Sequence, residues 1–99
     1  MDGPDVALTI VAAYDVSEDS RRSRLAAVLQ AHGDRVQKSV FVLTLTPESL
    51  TEIRVKAHEL LDHDTDSLYL FRQCSTCWET LECIGQAHTP EKVLFWAVL

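Results

Sequence analysis

The stretch from Val6 to Ser17, VALTIVAAYDVS, decides how the rest of the chain folds. Nearly every position from Ala7 to Ala13 is apolar or small, which is typical of a central strand covered on both faces. This pattern stops at Ser17, where helical periodicity begins. The sequence therefore predicts a first strand whose carboxyl end carries Asp15 and lies beside the start of a helix.

Asp15 is the first candidate functional residue because of this position. Ligands in strand-then-helix folds gather at such ends, where the chain opens and the helix N-terminus is electropositive. A carboxylate there either caps the helix or holds a cation. Ser17 is itself a good capping residue, which leaves Asp15 available for the second role.

Length and composition predict one folded domain. The chain has 99 residues, 46% of them hydrophobic and 24% charged. It contains no apolar run near the roughly 20 residues that span a bilayer, and the segment Met1 to Asp5 lacks the basic residues of a secretory signal. We therefore expect a cytoplasmic protein without membrane contact.

The charge of the chain is unevenly distributed. A formal net charge of −6 argues mildly against a chain that wraps nucleic acid. Five of the nine basic residues nevertheless lie within one window, namely Arg21, Arg22, Arg24, Arg35 and Lys38. Two interpretations stay open: these side chains contact phosphates, or those at the helix start form salt bridges with Glu18 or Asp19.

Periodicity and capping residues predict the following elements. The first helix extends from about Ser17 to His32, with Leu25, Val28, Leu29 and His32 on its buried stripe and Gly33 as its stop. The β-rich segment 35–45 is either one bent strand or two strands joined tightly near Lys38 and Ser39. Thr46 caps a second helix that begins at Pro47. A polar turn at 62–66, a strand at 67–72, a turn at 74–77 and a strand at 78–84 follow.

This order is typical of an α+β, ferredoxin-like β-α-β-β-α-β sandwich, with both helices on one face of an antiparallel sheet. We assign this domain to residues 1–85. Residues 86–99 form a polar hinge and a run of seven apolar residues, Val93 to Leu99. An exposed strand of this composition would be prone to aggregate unless it pairs with another strand. The face of the sheet that carries no helices also exposes apolar residues unless another chain packs on it. We therefore predict a homodimer in which this C-terminal strand crosses to the partner.

Cys74 and Cys77 have the spacing of half a zinc site. Cys83 and His88, or the same pair from a second subunit, would complete it; the alternative is a set of reduced, structural cysteines. A thioredoxin-like redox role is not expected, because Cys74 follows a late strand and no helix pattern follows it.

Several of these features, in this order, resemble the CRISPR-associated protein 2 family, the small ferredoxin-like proteins of CRISPR spacer acquisition. The resemblance extends from about Leu8 to Gly85. It is carried by the motif Tyr14 to Ser17, the arginines Arg21, Arg22 and Arg24, Gly33, the segment Arg35 to Phe41, a strand ending near Arg72, the Cys-x-x-Cys turn and the strand end at Ile84 and Gly85.

The resemblance implies a homodimer in which Asp15 of each subunit faces its mate and shares Mg²⁺ (or Mn²⁺). Asp15 would then be the catalytic and metal-binding residue of a metal-dependent endonuclease acting on RNA or duplex DNA, with Tyr14 and Ser17 orienting substrate or metal-bound water. Arg21 or Arg22 would stabilise the charge of the reacting phosphate.

The same resemblance implies a scaffold that holds DNA for the Cas protein 1 integrase, with DNA or RNA bound by the five basic residues named above. We expect the scaffold role first and the nuclease as an activity of the same cleft. The alternative is a non-catalytic ferredoxin-like module that binds a small molecule or another protein, since this fold hosts many functions.

Overall fold

The computed structural model of the protein describes residues 7–82 and 84–85. Four strands and three helices follow one another along this part of the chain: β1 (Leu8–Asp15), α1 (Asp19–Gln30), β2 (Gly33–Gln37), β3 (Val40–Leu45), α2 (Pro47–Leu60), β4 (Ser67–Gln73) and α3 (Ser75–Glu79). The predicted β-α-β-β-α-β order is confirmed, and a short helix is added after β4.

The four strands form one antiparallel sheet in the order β2-β3-β1-β4. The first strand lies in the middle, as its apolar sequence predicts, and pairs with β3 on one side and β4 on the other. This strand order, with two helices packed on one face, is the ferredoxin-like sandwich.

The main core lies between the sheet and its two long helices. Alternate residues of β1 and β3 face the helices, and α1 and α2 each contribute one apolar stripe. Its fully or nearly fully buried members include Ile10, Ala12, Leu25, Leu29, Phe41, Leu43 and Ile53. Val28, predicted on the buried stripe, is partly buried against this core.

The start of α1 differs from the prediction, whereas the start of α2 agrees with it. Glu18 rather than Ser17 caps α1, because its carboxylate accepts the amide N–H groups of Ser20 and Arg21. Neither Ser17 nor Asp15 is the cap. At α2, Thr46 accepts the N–H of Ser49 at 3.1 Å, and Pro47 is the first helical residue, as predicted.

The segment from 35 to 45 is two strands, which settles the alternative that periodicity left open. A turn at Lys38 and Ser39 joins β2 to β3, and the pairing register shifts between Arg35 and Gln37. This bulge adds one residue on β2 and increases the local bend of the hairpin.

Gly33 starts β2 instead of ending the helix in a left-handed conformation. Its φ is not positive, so a backbone conformation does not explain the glycine. A Cβ atom there would lie 2.0 Å from the carbonyl oxygen of Val42 and 2.7 Å from the Cα of Leu43. Gly33 is therefore required because the backbones of β2 and β3 approach closely.

Replacing Gly33 with Ala is expected to lower the free energy of unfolding by about 1–3 kcal/mol, because β2 must move away from β3. Urea denaturation followed by circular dichroism measures this change. Ser39→Ala, in the neighbouring hairpin turn, is the control and should stay within about 0.5 kcal/mol of the parent protein. Equal stability of the two variants would show that the strands separate without cost.

The segment after β4 was predicted wrongly. Cys74 to Cys77 do not form a simple turn, and residues 78–82 do not form a strand; Cys74 instead caps α3. Trp78 packs onto Val42, with Val11 and Val36 nearby, on the sheet face opposite α1 and α2. The alternation of apolar and polar residues after Cys77 is compatible with a strand and also with a short helix that buries one side chain. The burial of Trp78 favours the helix.

The predicted hinge at 86–90 and the predicted dimer-crossing strand at 93–99 lie outside the described residues, as does Cys83. Among the helices of the described ranges, none is long and apolar enough to cross a bilayer.

Candidate functional site

One end of the sheet collects most of the predicted site residues. The carboxyl end of β1 meets the β2–β3 turn, because the amide N–H of Tyr14 donates to the Ser39 carbonyl at 3.1 Å. The Tyr14 hydroxyl donates to the Lys38 carbonyl at 3.4 Å. On the other side, Asp15 is opposite Ser67 at the start of β4. Backbone pairing therefore fixes the end of β1 from both sides.

Asp15 is exposed at this fixed position. Its carboxylate makes no hydrogen bond or ion pair with any described residue. An unpaired carboxylate on a rigid strand end is available for a ligand in solution.

The donor chemistry at Asp15 fits a hard cation such as Mg²⁺, which takes one or two carboxylates and completes its shell with water and phosphate oxygens. Within the described ranges, no group of three or more His, Cys, Asp or Glu side chains is arranged to hold a metal. One subunit therefore offers Asp15 as an isolated ligand. The shared ion that the resemblance implies needs a second carboxylate from another copy, and that arrangement stays a prediction.

Asp66 lies beside this end and is bound by an unusual number of donors. Its side chain has no exposed surface. One carboxylate oxygen accepts Arg21 Nε at 2.7 Å and the Asp62 N–H at 3.0 Å. The other accepts the Ser17 N–H at 3.2 Å, the Ser17 hydroxyl at 3.3 Å, the Thr65 hydroxyl at 3.1 Å and Arg21 Nη2 at 3.4 Å.

These contacts keep Asp66 ionised. The hydrogen bond from Arg21 is the largest influence and lowers the pKa of Asp66 far below its usual range, with further contributions from the N–H groups of Asp62 and Ser17. The same contact raises the pKa of Arg21. Asp66 thereby ties the loop before β4 to the β1–α1 connection, two residues beyond Asp15.

The five predicted basic residues divide into three groups. Arg21 binds Asp66, and Arg22 forms an ion pair with Asp19 and donates to the Val16 carbonyl at 2.7 Å. Arg24 faces α2 beside a shallow cavity of about 230 Å³. The salt bridges that we offered as the alternative interpretation are thus present for Arg22 with Asp19 and for Arg21 with Glu18 at 3.6 Å.

Arg35 and Lys38 form the third group. Arg35 lies 5.1 Å from the centroid of the Phe41 ring, and this ring stacks with Tyr14 at 6.3 Å. Lys38 occupies the turn that Tyr14 holds. Both cations are exposed, and neither forms an ion pair within the described part of the chain. They are the two predicted phosphate contacts that remain open beside the end of β1.

A family model described as CRISPR associated protein Cas2 matches residues 8–81. The chain belongs to the Cas2 family. It is 38% identical over 79 residues to the CRISPR-associated endoribonuclease Cas2 1 of Chloroflexus aurantiacus, covering 79% of this chain and 85% of that protein.

Solved structures share the fold. The crystal structure of Streptococcus pyogenes Cas2 matches with a TM-score of 0.71 and 26% identity, covering 78% of this chain and 99% of that one. A chain of a partial Cas6-RT-Cas1–Cas2 complex matches with a TM-score of 0.68 and 22% identity, covering 78% and 84%. At that identity the second match shows the Cas2 fold alone.

Sequence reasoning placed Asp15 correctly at a strand end but missed Asp66, which it assigned to a polar turn. One signal was present. Arg21 falls on the buried stripe of α1, and a guanidinium in such a place needs a counter-charge. The predicted supporting residues Ser17 and Tyr14 are also engaged, Ser17 with Asp66 and Tyr14 with the hairpin turn.

Proposed function

We propose that this Cas2-family protein acts in CRISPR adaptation as a homodimer that holds DNA for the Cas1 integrase. One observation carries the proposal: the β2–β3 hairpin, whose turn is bound to Tyr14 next to Asp15, presents the exposed cations Arg35 and Lys38, neither in an ion pair with a described residue. Cations without internal partners can exchange their counterions for DNA phosphates. In an acidic chain, such a local patch would orient DNA along one face.

The open sheet face supports the homodimer. Tyr69 and Phe71 on β4 are 54% and 52% exposed, and their rings stack at 6.2 Å. On the same face, the indole Nε1 of Trp78 is buried and has no hydrogen-bond partner among the described residues. Exposed aromatic area and an unpaired buried donor both favour a covering partner. A second subunit would cover this face, with residues 93–99 crossing between the two.

Family membership supports Cas1 as the partner, as does the fold shared with a chain of a partial Cas6-RT-Cas1–Cas2 complex. Two subunits related by a two-fold axis present two identical ends. In this proposal the dimer holds one Cas1 assembly at each end and DNA between them.

Nuclease chemistry is proposed for the same cleft. Asp15 and its mate would hold Mg²⁺ (or Mn²⁺), which when bound polarises a phosphate and activates water. Arg22, partly exposed, neutralises charge near the reacting phosphate. We expect slow turnover, because the hydroxyls of Ser17 and Tyr14 are already held by internal hydrogen bonds and the guanidinium of Arg21 stays protonated, so none of the three can act as a general base.

Salt-dependent DNA binding tests the proposal. Arg35→Glu and Lys38→Glu are each expected to weaken binding to duplex DNA and to reduce the slope of log K against log salt by at least about one. Fluorescence anisotropy between about 50 and about 200 mM salt measures this slope. Arg54→Glu, which makes the same charge change on α2, should leave the slope close to that of the parent protein.

Two results would contradict the scaffold. One is equal weakening by all three substitutions, which would indicate a general effect of net charge. The other is the absence of DNA binding by the parent protein at the lowest salt, which would favour the non-catalytic module that binds a small molecule or a protein.

A further inference from the structure

The thiols of Cys74 and Cys77 lie together on the surface, away from the Asp15 end of the sheet. Cys74 follows β4 and caps α3, and Cys77 is three residues later on the same side of that helix. The two Sγ atoms are 3.1 Å apart, and the amide N–H of Cys77 donates to Cys74 Sγ at 3.3 Å. Both cysteines are exposed and free.

The two thiols are chemically unequal. Hydrogen bonding from the Cys77 thiol, followed by the Cys77 N–H, lowers the pKa of Cys74. The proximity of Cys74 raises the pKa of Cys77. Because the thiolate is the nucleophile in thiol–disulfide exchange, Cys74 is the attacking residue and Cys77 keeps its proton until a later step.

We propose that Cys74 and Cys77 are a redox-active dithiol that a low-molecular-weight disulfide converts reversibly into an intramolecular disulfide. The helix after Cys74 removes one of the two reasons for which the sequence argued against a redox role; the other, that Cys74 follows a late strand, argues only against a thioredoxin-like fold. A dithiol needs no group beyond these two side chains. A zinc site needs two further ligands, and no third His, Cys, Asp or Glu joins the pair among the described residues.

The reaction balances in two steps. The Cys74 thiolate attacks one sulfur of the small disulfide, whose S–S bond breaks and releases one thiolate. Cys77 then gives up its proton and attacks Cys74 Sγ of the mixed disulfide, which expels the second thiolate. Two protein thiols are oxidised, one small disulfide is reduced, and the released thiolates take up the two protons.

Equilibration of the full chain with mixtures of glutathione and glutathione disulfide tests this proposal. Cys83→Ser removes the third cysteine of the chain and provides the working background. Mass spectrometry after alkylation should show both thiols disappearing together, with the loss of two hydrogen atoms per chain. The transition should follow a two-electron slope, about 30 mV for each tenfold change in the ratio of the two forms.

Two single variants in that background separate the roles of the thiols. Cys77→Ser should accumulate a stable glutathione adduct on Cys74, because the resolving thiol is absent. Cys74→Ser should form no intramolecular disulfide, and in Cys83→Ser itself, with both thiols present, a limiting amount of alkylating agent should react several-fold faster at Cys74 than at Cys77 at neutral pH. Matched circular dichroism melting curves confirm that both variants fold.

Three results would overturn the proposal. They are independent glutathione adducts on both cysteines without loss of hydrogen, disulfides that form only between chains, and one equivalent of bound zinc that must be removed before either thiol is alkylated. The last result would establish the zinc site instead. None of these outcomes depends on DNA binding or cleavage, so the test is independent of the proposed function.

Discussion

Replacing Asp15 with Ala is expected to reduce magnesium-dependent cleavage of nucleic acid by about a hundredfold or more, while DNA affinity and melting temperature stay close to those of the parent protein. In the proposed nuclease chemistry this carboxylate would be a metal ligand, and it has no structural partner among the described residues. Its removal should therefore lower the rate of cleavage without lowering the stability of the fold. Cleavage of RNA and of duplex DNA, each with Mg²⁺ and with EDTA, is the measurement.

The control for Asp15→Ala is Asp64→Ala, which removes the same charge from an exposed position in the loop before β4. Sedimentation of both variants checks that the oligomeric state is unchanged. Cleavage at parental rate by Asp15→Ala, or cleavage that EDTA does not reduce, would point to a contaminating nuclease and would contradict the metal chemistry. DNA binding and spacer acquisition that survive in Asp15→Ala would still agree with the scaffold role.

Substitution of Asp66 is expected to cause a large loss of thermal stability. Asp66→Asn should lower the melting temperature clearly more than any substitution of an exposed acid in the same loop. The amide cannot pair with Arg21 as a carboxylate does, and its NH2 group faces donors that have no acceptor. The variant leaves a guanidinium that is only one-quarter exposed without its counter-charge. Thermal unfolding by circular dichroism, with Asp64→Asn as the control, measures the difference.

The Asp66 carboxylate also makes the stability of the fold depend on pH. The pKa of Asp66 is lowered on folding, so this carboxylate stabilises the fold above its ordinary value of 3.8. That stabilisation is lost progressively as the pH falls below this value toward the lowered pKa. The parent protein should therefore lose stability steeply below about pH 4, and Asp66→Asn should show a shallower loss.

The double variant Arg21→Met, Asp66→Asn gives a further check. If the two side chains act as a pair, the double variant should lose less stability than the sum of the single losses. Additive losses, or an acid response of Asp66→Asn identical to that of the parent protein, would show that the ion pair is not the source of stability.

The sequence by itself determined the features that depend on neighbouring residues. The apolar run of β1 and its end at Asp15, the cap at Thr46 and the alternation of strands and helices follow from local pattern and capping chemistry, whereas the division of segment 35–45 into two strands does not. The position of Asp15 at an exposed strand end was available for the same reason. The sequence did not determine which residue caps α1, because Ser17 and Glu18 are both suitable caps. The contact of Ser17 with Asp66 leaves Glu18 as the cap.

The tertiary structure decided the features that join distant parts of the chain. Arg21 and Asp66 are 45 residues apart, and no local pattern shows that they meet. The need for Gly33 comes from the backbone of β3, and the helix after Cys74 is favoured by the burial of Trp78 against Val42. The sequence supplied the charged and cysteine side chains, and packing determined which of them are paired, which are buried and which remain open to a ligand.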